Sequence, residues 1–384
     1  MNNCKVCGAE LDVPIYQSTT DKTITSLCTL RTGKKRVWLC SACTHLSSDA
    51  LNDTHQYYES EYKILLNEED EDQIYEIRDG NIVYRTTHQV ETLIDKLPLV
   101  KESKLLDYGC AKGSTAKALA RLRPDIHVSL YDVSTMYLPF WNQFVTSENY
   151  AVNITPESWQ SKFDIVTSFF ALEHIPEPLT TAREIFQLLN DKGIFYGIVP
   201  YSFSNPADFI VIDHVNHFTK LSLHRLLALS GFKEILIDSE CHRGALVFVA
   251  KKSGVSSREP DGRTNQELAT NLANYWNTAG HKIIKEEQRN NSERSAIYGS
   301  GFYGSYIFSQ LKKPEKIMHF IDASPYQQGK TVFNKPIISP DELPDHVDLI
   351  YVGLNPSIAH NTMLKLGWNE GHRFKLIYMD SIRK

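Results

Sequence analysis

Apolar residues in the middle of the chain fall into short unbroken runs parted by polar turns. The runs "KLLDY" at 104–108, "HVSLYDVS" at 127–134, "FDIVTS" at 163–168, "KGIFYGIVP" at 192–200 and "GALVFVAKK" at 244–252 each read as a strand buried on both faces. After the first run the spacing changes. Ala116, Leu119, Ala120 and Leu122 recur at helical intervals, so Lys104–Tyr108, the turn Gly109–Gly113 and the helix behind it read as the opening β-turn-α of a doubly wound sheet.

The pattern restarts near the end of the chain. "SAIYGSGFYGSYIFSQL" (295–311) repeats strand, glycine turn and helix, "KIMHFIDASP" (316–325) adds a second strand, and "DLIYVGLNPSIA" (348–359) a later one. Between the two patterns lie a polar, turn-rich stretch, Ser253–Asn265, and a long helix with Leu268, Leu272, Tyr275, Trp276, Ala279 and Ile283 on one stripe. The expected fold class is α/β, in four parts: 1–55 a cysteine-bearing module, 56–252 a Rossmann-like core, 253–290 linker and helix, and 291–384 a second Rossmann-like α/β domain. The acidic run Glu68–Asp72 reads as a solvated loop.

A chain of 384 residues has room for two or three cores, and 42% hydrophobic with 23% charged residues is the composition of a globular protein. The net charge of −5 supplies no basic field for nucleic acid or an anionic membrane, so neither is an expected partner. No signal peptide or 18-residue apolar run is seen, which makes the cytoplasm the expected location. The sequence does not specify an oligomeric state.

Seven cysteines in a reducing compartment read as metal ligands or buried thiols. Cys4 and Cys7 form one C-x-x-C and Cys40 and Cys43 another, a set that suits tetrahedral zinc with no position left for water, hence a structural ion. Cys28 reads as a spare ligand or a buried thiol, and Cys110 and Cys241 as packing residues.

The glycine turn carries the first sign of chemistry. Such turns let backbone approach a ligand beyond the carboxyl ends of the strands, and Asp132, ending the next strand, stands where an acid accepts ribose hydroxyls. The turn is D-x-G-x-x-x-G and not G-x-G-x-x-G. Asp107 would repel a pyrophosphate but suits the ammonium end of S-adenosylmethionine.

The series "LLDYGCAKG", "LYDVS", "FDIVTSFFALEHIPEP" and "KGIFYGIVP" resembles the class I S-adenosylmethionine-dependent methyltransferases in order and interval. The resemblance implies that Asp107, Gly109 and Gly113 line the amino-acid end of the cofactor, Asp132 its ribose, Asn153 its adenine and Phe169 the sulfonium region. His174 is implied in the same site, or else as a structural loop element. The whole layout resembles more narrowly the zinc-containing sugar C-methyltransferases that act on nucleotide-linked 4-keto-deoxysugars. It implies a base on "FIVIDHVNHF" (209–218), with His214 as base, Asp213 as its partner or as an acceptor for a substrate hydroxyl, and His217 as fallback; Val211 stands where that family has tyrosine. A histidine suits proton removal beside a ketone because its pKa lies near neutrality. Tyr75 and Tyr84, with Arg85 and His88, are expected to cap substrate or cofactor, and Tyr57, Tyr58 and Tyr62 form a similar approach. O-methylation uses the same base and stays open.

Gly299, Gly301 and Gly304 meet the G-x-G-x-x-G spacing and Asp322 ends the following strand, so NAD in the last domain is an alternative. Only about 80 residues follow the last of these glycines, scant room for both cofactor halves. Scaffolding or nucleotide-sugar contact is the preferred role.

Overall fold

The computed structural model describes residues 3–64, 72–79, 81–290, 294–369 and 373–379. Glu68 to Glu71 of the acidic run lie outside the described residues.

The central sheet has seven strands: β1 (Lys104–Tyr108), β2 (His127–Asp132), β3 (Tyr150–Val152), β4 (Phe163–Phe169), β5 (Leu189–Pro200), β6 (Glu234–Asp238) and β7 (Ala245–Lys251). Their spatial order is β3-β2-β1-β4-β5-β7-β6. The first five are parallel and β7 runs antiparallel between β5 and β6. Strand order reverses between β1 and β4, and that switch point opens a crevice at the carboxyl ends. The run "LL" in β1 is buried because helices cover both faces of the sheet, and two separate apolar clusters, one holding Leu106 and the other Leu105, mark the two sides.

Helix α1 (Arg85–Lys96) leads into β1, and α2 (Ser114–Leu122) follows the glycine turn. Gly109 has φ +73°, and a Cβ there would sit 2.7 Å from that of Ala171, so only glycine lets this turn close against the end of β4. Ala116 and Leu119 are buried as the period requires, whereas Leu122 is 64% exposed: the helix ends at Leu122, beyond the sheet it would pack on. Helices α3 (Pro178–Leu188) and α4 (Lys220–Leu229) complete the core.

The N-terminal part is not a separate bead. Its short strands Tyr16–Gln17, Arg36–Leu39 and Leu46–Ser48 form a sheet whose fourth strand, Asn216–His217, is lent by the core. Position 55 is therefore a boundary in sequence but not in packing.

Helix α5 (Asn265–Arg289) buries Leu272, Tyr275, Trp276, Ala279 and Ile283, while Leu268 is only half-buried. Beyond it a six-stranded sheet comprises β8 (Ser295–Tyr298), β9 (Ile317–Ile321), β10 (Thr331–Val332), β11 (Lys335–Ile338), β12 (Leu349–Val352) and β13 (Lys375–Tyr378), in the order β10-β11-β9-β8-β12-β13. All its pairings are parallel except β10 with β11. Helix α6 (Phe302–Gln310) follows β8, and α7 (Pro356–Lys365) follows β12. Among the described residues no helix is long and apolar enough to cross a membrane.

Candidate active site

A cavity of about 870 Å³ occupies the crevice at the carboxyl ends of β1, β2 and β4. One half of it is built by the strand ends. Asp107 is buried at the end of β1, accepts a hydrogen bond from Thr167 Oγ1 at 3.0 Å, and is pushed up to about 7 by burial, with Asp132 adding to the rise. Asp132 ends β2; its carboxylate takes the N–H groups of Ala111 at 2.8 Å and Ser134 at 3.0 Å, which oppose the burial that raises it to about 6. Phe169 and Phe170 line the same space, with the Arg85 guanidinium 3.8 Å from the Phe170 ring centre. Arg85 brings a positive charge to the wall and donates from its guanidinium to Gln73 Oε1 at 2.7 Å. The two acids and the cation along this wall are chemically complementary to a cation, a carboxylate and hydroxyl groups.

The other half is an acid and histidine cluster. His214 lines the cavity, and its Nδ1 pairs with Asp208 Oδ1. Asp208 lies in the 3₁₀ turn Pro206–Ile210, wholly buried, and also holds His217 Nδ1 at 2.7 Å and Ser202 Oγ. Burial opposes its ionisation, yet the two histidines hold Asp208 well below the usual carboxylate range. Burial likewise works to lower His214, but Asp208, then Asp213 and Glu173, raise it above its ordinary value. His174, from the turn Leu172–His174, meets the His214 ring edge to face at 4.7 Å and pairs through Nδ1 with Tyr58 Oη at 3.0 Å; burial pushes it down to about 4. Tyr58 and Tyr62 line the cavity and form its roof, whereas Tyr57 is buried off the wall on Asp213.

Two of the expected catalytic residues stand elsewhere. Asp213 is fully buried outside the cavity wall, where its carboxylate accepts Ser26 N–H at 2.8 Å, Ser26 Oγ at 2.6 Å and Tyr57 Oη at 3.3 Å. Asp213 sits in the turn that His214 N closes on Val211 O at 3.3 Å, with Oδ2 3.6 Å from His174 Nδ1, while His214 Nδ1 takes Asp208. His217 is 1% exposed, lies off the cavity wall, and bonds Ser48 Oγ at 3.3 Å through Nε2. Asn153 is exposed with φ +64° and does not reach the cavity. Gly113 caps α2 in the left-handed region behind the wall, and Tyr84 lies outside the cavity beside Tyr326. Gly109 and Tyr75 do line it, Tyr75 stacking on His88 at 3.8 Å.

Asp208, Glu173 and Lys35 carry structure at this site that the sequence reading missed. The buried Lys35 ammonium donates to the carbonyls of Val211 at 2.6 Å and His214 at 2.8 Å. Burial lowers it to about 7, against the pull of Asp208 and Asp213. An isolated lysine 179 positions away gives no local signal.

Away from the cavity, Cys4 and Cys43 Sγ are 3.5 Å apart, Cys7 and Cys40 Sγ 3.6 Å, and all four lie within 4.8 Å of one another. A tetrahedron of Zn–S bonds of about 2.3 Å has edges of about 3.8 Å, so the set fits a tetrahedral thiolate-bound metal. Cys28 is not among these ligands. In the last sheet, a Cβ on Gly304 would lie 1.8 Å from Gly299 O, which gives these glycines a packing role. Asp322 there closes on Ser300 N and Oγ, at 3.0 and 2.7 Å.

Residues 82–236 match the family described as a methyltransferase domain. A ubiquinone biosynthesis O-methyltransferase of Histophilus somni (strain 2336) is 29% identical over 105 residues, covering 25% of this chain and 44% of that protein. The matched part is thus less than half of that relative. Among solved structures, an S-adenosylmethionine-dependent methyltransferase from Mesorhizobium loti is 17% identical with a TM-score of 0.36, covering 43% of this chain and 97% of its own. The CurJ carbon methyltransferase is 16% identical with a TM-score of 0.36, covering 44% of this chain and 54% of its own.

Proposed function

We propose that this methyltransferase transfers the methyl group of S-adenosylmethionine to a nucleotide-linked keto-deoxysugar, at a carbon whose proton His214 removes. The observation that carries the reading is His214, held from behind by the buried Asp208, facing the same cavity as Asp107 and Asp132. In it Asp132 holds the ribose, Asp107 the ammonium and Arg85 the carboxylate of the cofactor, and Phe169 packs by the sulfonium. When bound, the cofactor supplies an electrophilic methyl.

His214 is oriented for the task. Its Nδ1 is fixed by Asp208, which leaves Nε2 for the substrate and stabilises the imidazolium once the proton has moved. The tyrosine roof excludes water from the carbanion equivalent so formed. Zinc on the four cysteines is part of the proposal as a structural ion that holds the N-terminal module.

The test is hydrogen exchange. Supplied with S-adenosylhomocysteine, which has no methyl to give, the protein in deuterated water should exchange one ring hydrogen of a nucleotide-linked 4-keto-6-deoxysugar. Methylation without exchange would favour a hydroxyl acceptor and O-methylation; neither methylation nor exchange on any keto sugar would remove this substrate class.

A further inference from the structure

One buried acid in the cavity has no assigned task. Glu173 is 1% exposed, lines the cavity and leaves Oε2 with no hydrogen-bond partner, an expensive arrangement for a carboxylate. A carboxylate oxygen of Glu173 and ring nitrogens of His174 and His214 lie within 4.8 Å of one another. In a ketone the carbonyl oxygen and the carbon next to the carbonyl are about 2.4 Å apart. A base on the proton of that carbon and a donor on the oxygen are therefore spaced by roughly the separation seen here.

We infer that Glu173 is a second catalytic residue, a neutral carboxyl whose O–H donates a hydrogen bond to the carbonyl oxygen of the acceptor while His214 removes the neighbouring proton. This deepens the reading of His214 as base and rests on it. His214 Nε2 takes the proton, the C–H electron pair becomes the carbon–carbon π bond, and the carbonyl π pair moves onto the oxygen held by Glu173. The new nucleophilic carbon then attacks the sulfonium methyl; the carbon–sulfur bond breaks with its pair going to sulfur, and the carbonyl reforms. A hydroxyl acceptor has no carbonyl oxygen to hold, so the pairing of base and acid selects a ketone.

The surroundings keep Glu173 protonated near neutral pH. Burial pushes it up to about 8, and Asp208 adds to the rise; His214 and Arg85 pull the other way. The remaining charged or titratable groups around it are His174 on its own turn, Asp213 on the loop of His214, and Tyr58 and Tyr62 in the roof.

The experiment compares Glu173→Gln with Glu173→Leu on the full chain, reading deuterium exchange of a nucleotide-linked 4-keto-6-deoxysugar and affinity for S-adenosylhomocysteine. Gln keeps a neutral donor, so exchange should stay within about tenfold of the parent, while Leu should lose on the order of 100-fold or more, the usual cost of removing one oxyanion donor. Affinity for S-adenosylhomocysteine should hold in both. The parent should also lose exchange above about pH 8 as Glu173 ionises, and Glu173→Gln should not, a readout that stands even where Glu173→Leu fails to fold. Equal losses in Gln and Leu, or an alkaline limb that persists in Gln, would overturn the inference. Absence of exchange in the parent would instead overturn the reading of carbon methylation on a keto sugar, on which the inference rests.

Discussion

At the scale of single residues, the acid that matters to His214 is Asp208, six positions upstream. Replacing Asp208 by Asn keeps size and removes the charge that raises His214. The base works in its neutral form, so exchange rises with pH through the His214 pKa, which Asp208 holds above the ordinary value of about 6.5. In Asp208→Asn that limb should move to lower pH while the plateau falls roughly 100-fold or more, because Nδ1 is no longer held in the productive tautomer. A pH profile of exchange that keeps its acid limb in place would separate Asp208 from His214. Asp107 gives a prediction of the same kind on the cofactor side. Its carboxyl, raised to about 7, must ionise to meet an ammonium, so binding of S-adenosylmethionine should weaken as pH falls below 7 and should release protons there. Calorimetry at pH 6 in two buffers of different ionisation enthalpy reads that release directly; none would place the ammonium elsewhere.

At the scale of elements, the parts legible in the sequence are those fixed by local chemistry. The strand Lys104–Tyr108 is found with the ends read from its apolar run, and the glycine turn behind it is required by the contact of Gly109 with Ala171. What the sequence could not show is which distant groups meet. The resemblance pairs Asp213 with His214 through the family's acid-His motif, yet the turn at 211–214 aims the Asp213 carboxylate at Ser26 and leaves His214 Nδ1 to Asp208. The segment 211–217 is clamped from the N-terminal module by Lys35, by Ser26 and by the pairing of Leu46 and Ser47 with His217 and Asn216, all over more than 165 positions. Lys35→Met removes the two carbonyl bonds that fix the backbone on either side of Asp213. It should slow exchange by roughly tenfold or more, since each bond to a charged donor is worth about 1.5–3 kcal/mol, while affinity for S-adenosylhomocysteine holds because Lys35 does not line the cavity. A parallel loss of both would make Lys35 a residue of global stability.

At the scale of the whole molecule, His214 is supported by one part of the chain and Asp107 and Asp132 by another. The Asp107 and Asp132 carboxyls are set by the central sheet alone, through Thr167, Ala111 and Ser134. His214 depends in addition on a module of short strands whose four cysteines gather their Sγ atoms within 4.8 Å of one another. If the proposed zinc stabilises this small module, as metals do in such modules, its loss should act on chemistry before it acts on cofactor binding. The purified protein should contain one zinc per chain, and Cys40→Ser should lower that content. Treatment with a strong chelator should then abolish exchange while affinity for S-adenosylhomocysteine changes by only a fewfold, and readdition of zinc should restore exchange. Full exchange in metal-free protein would show that the Lys35 and Ser26 clamp stands without the ion. Equal loss of exchange and cofactor affinity would mean that the module and the sheet fold as one unit, which the shared cluster of Cys4, Trp38, Phe218 and Leu223 with the sheet residues Leu106 and Phe195 gives a physical route to do.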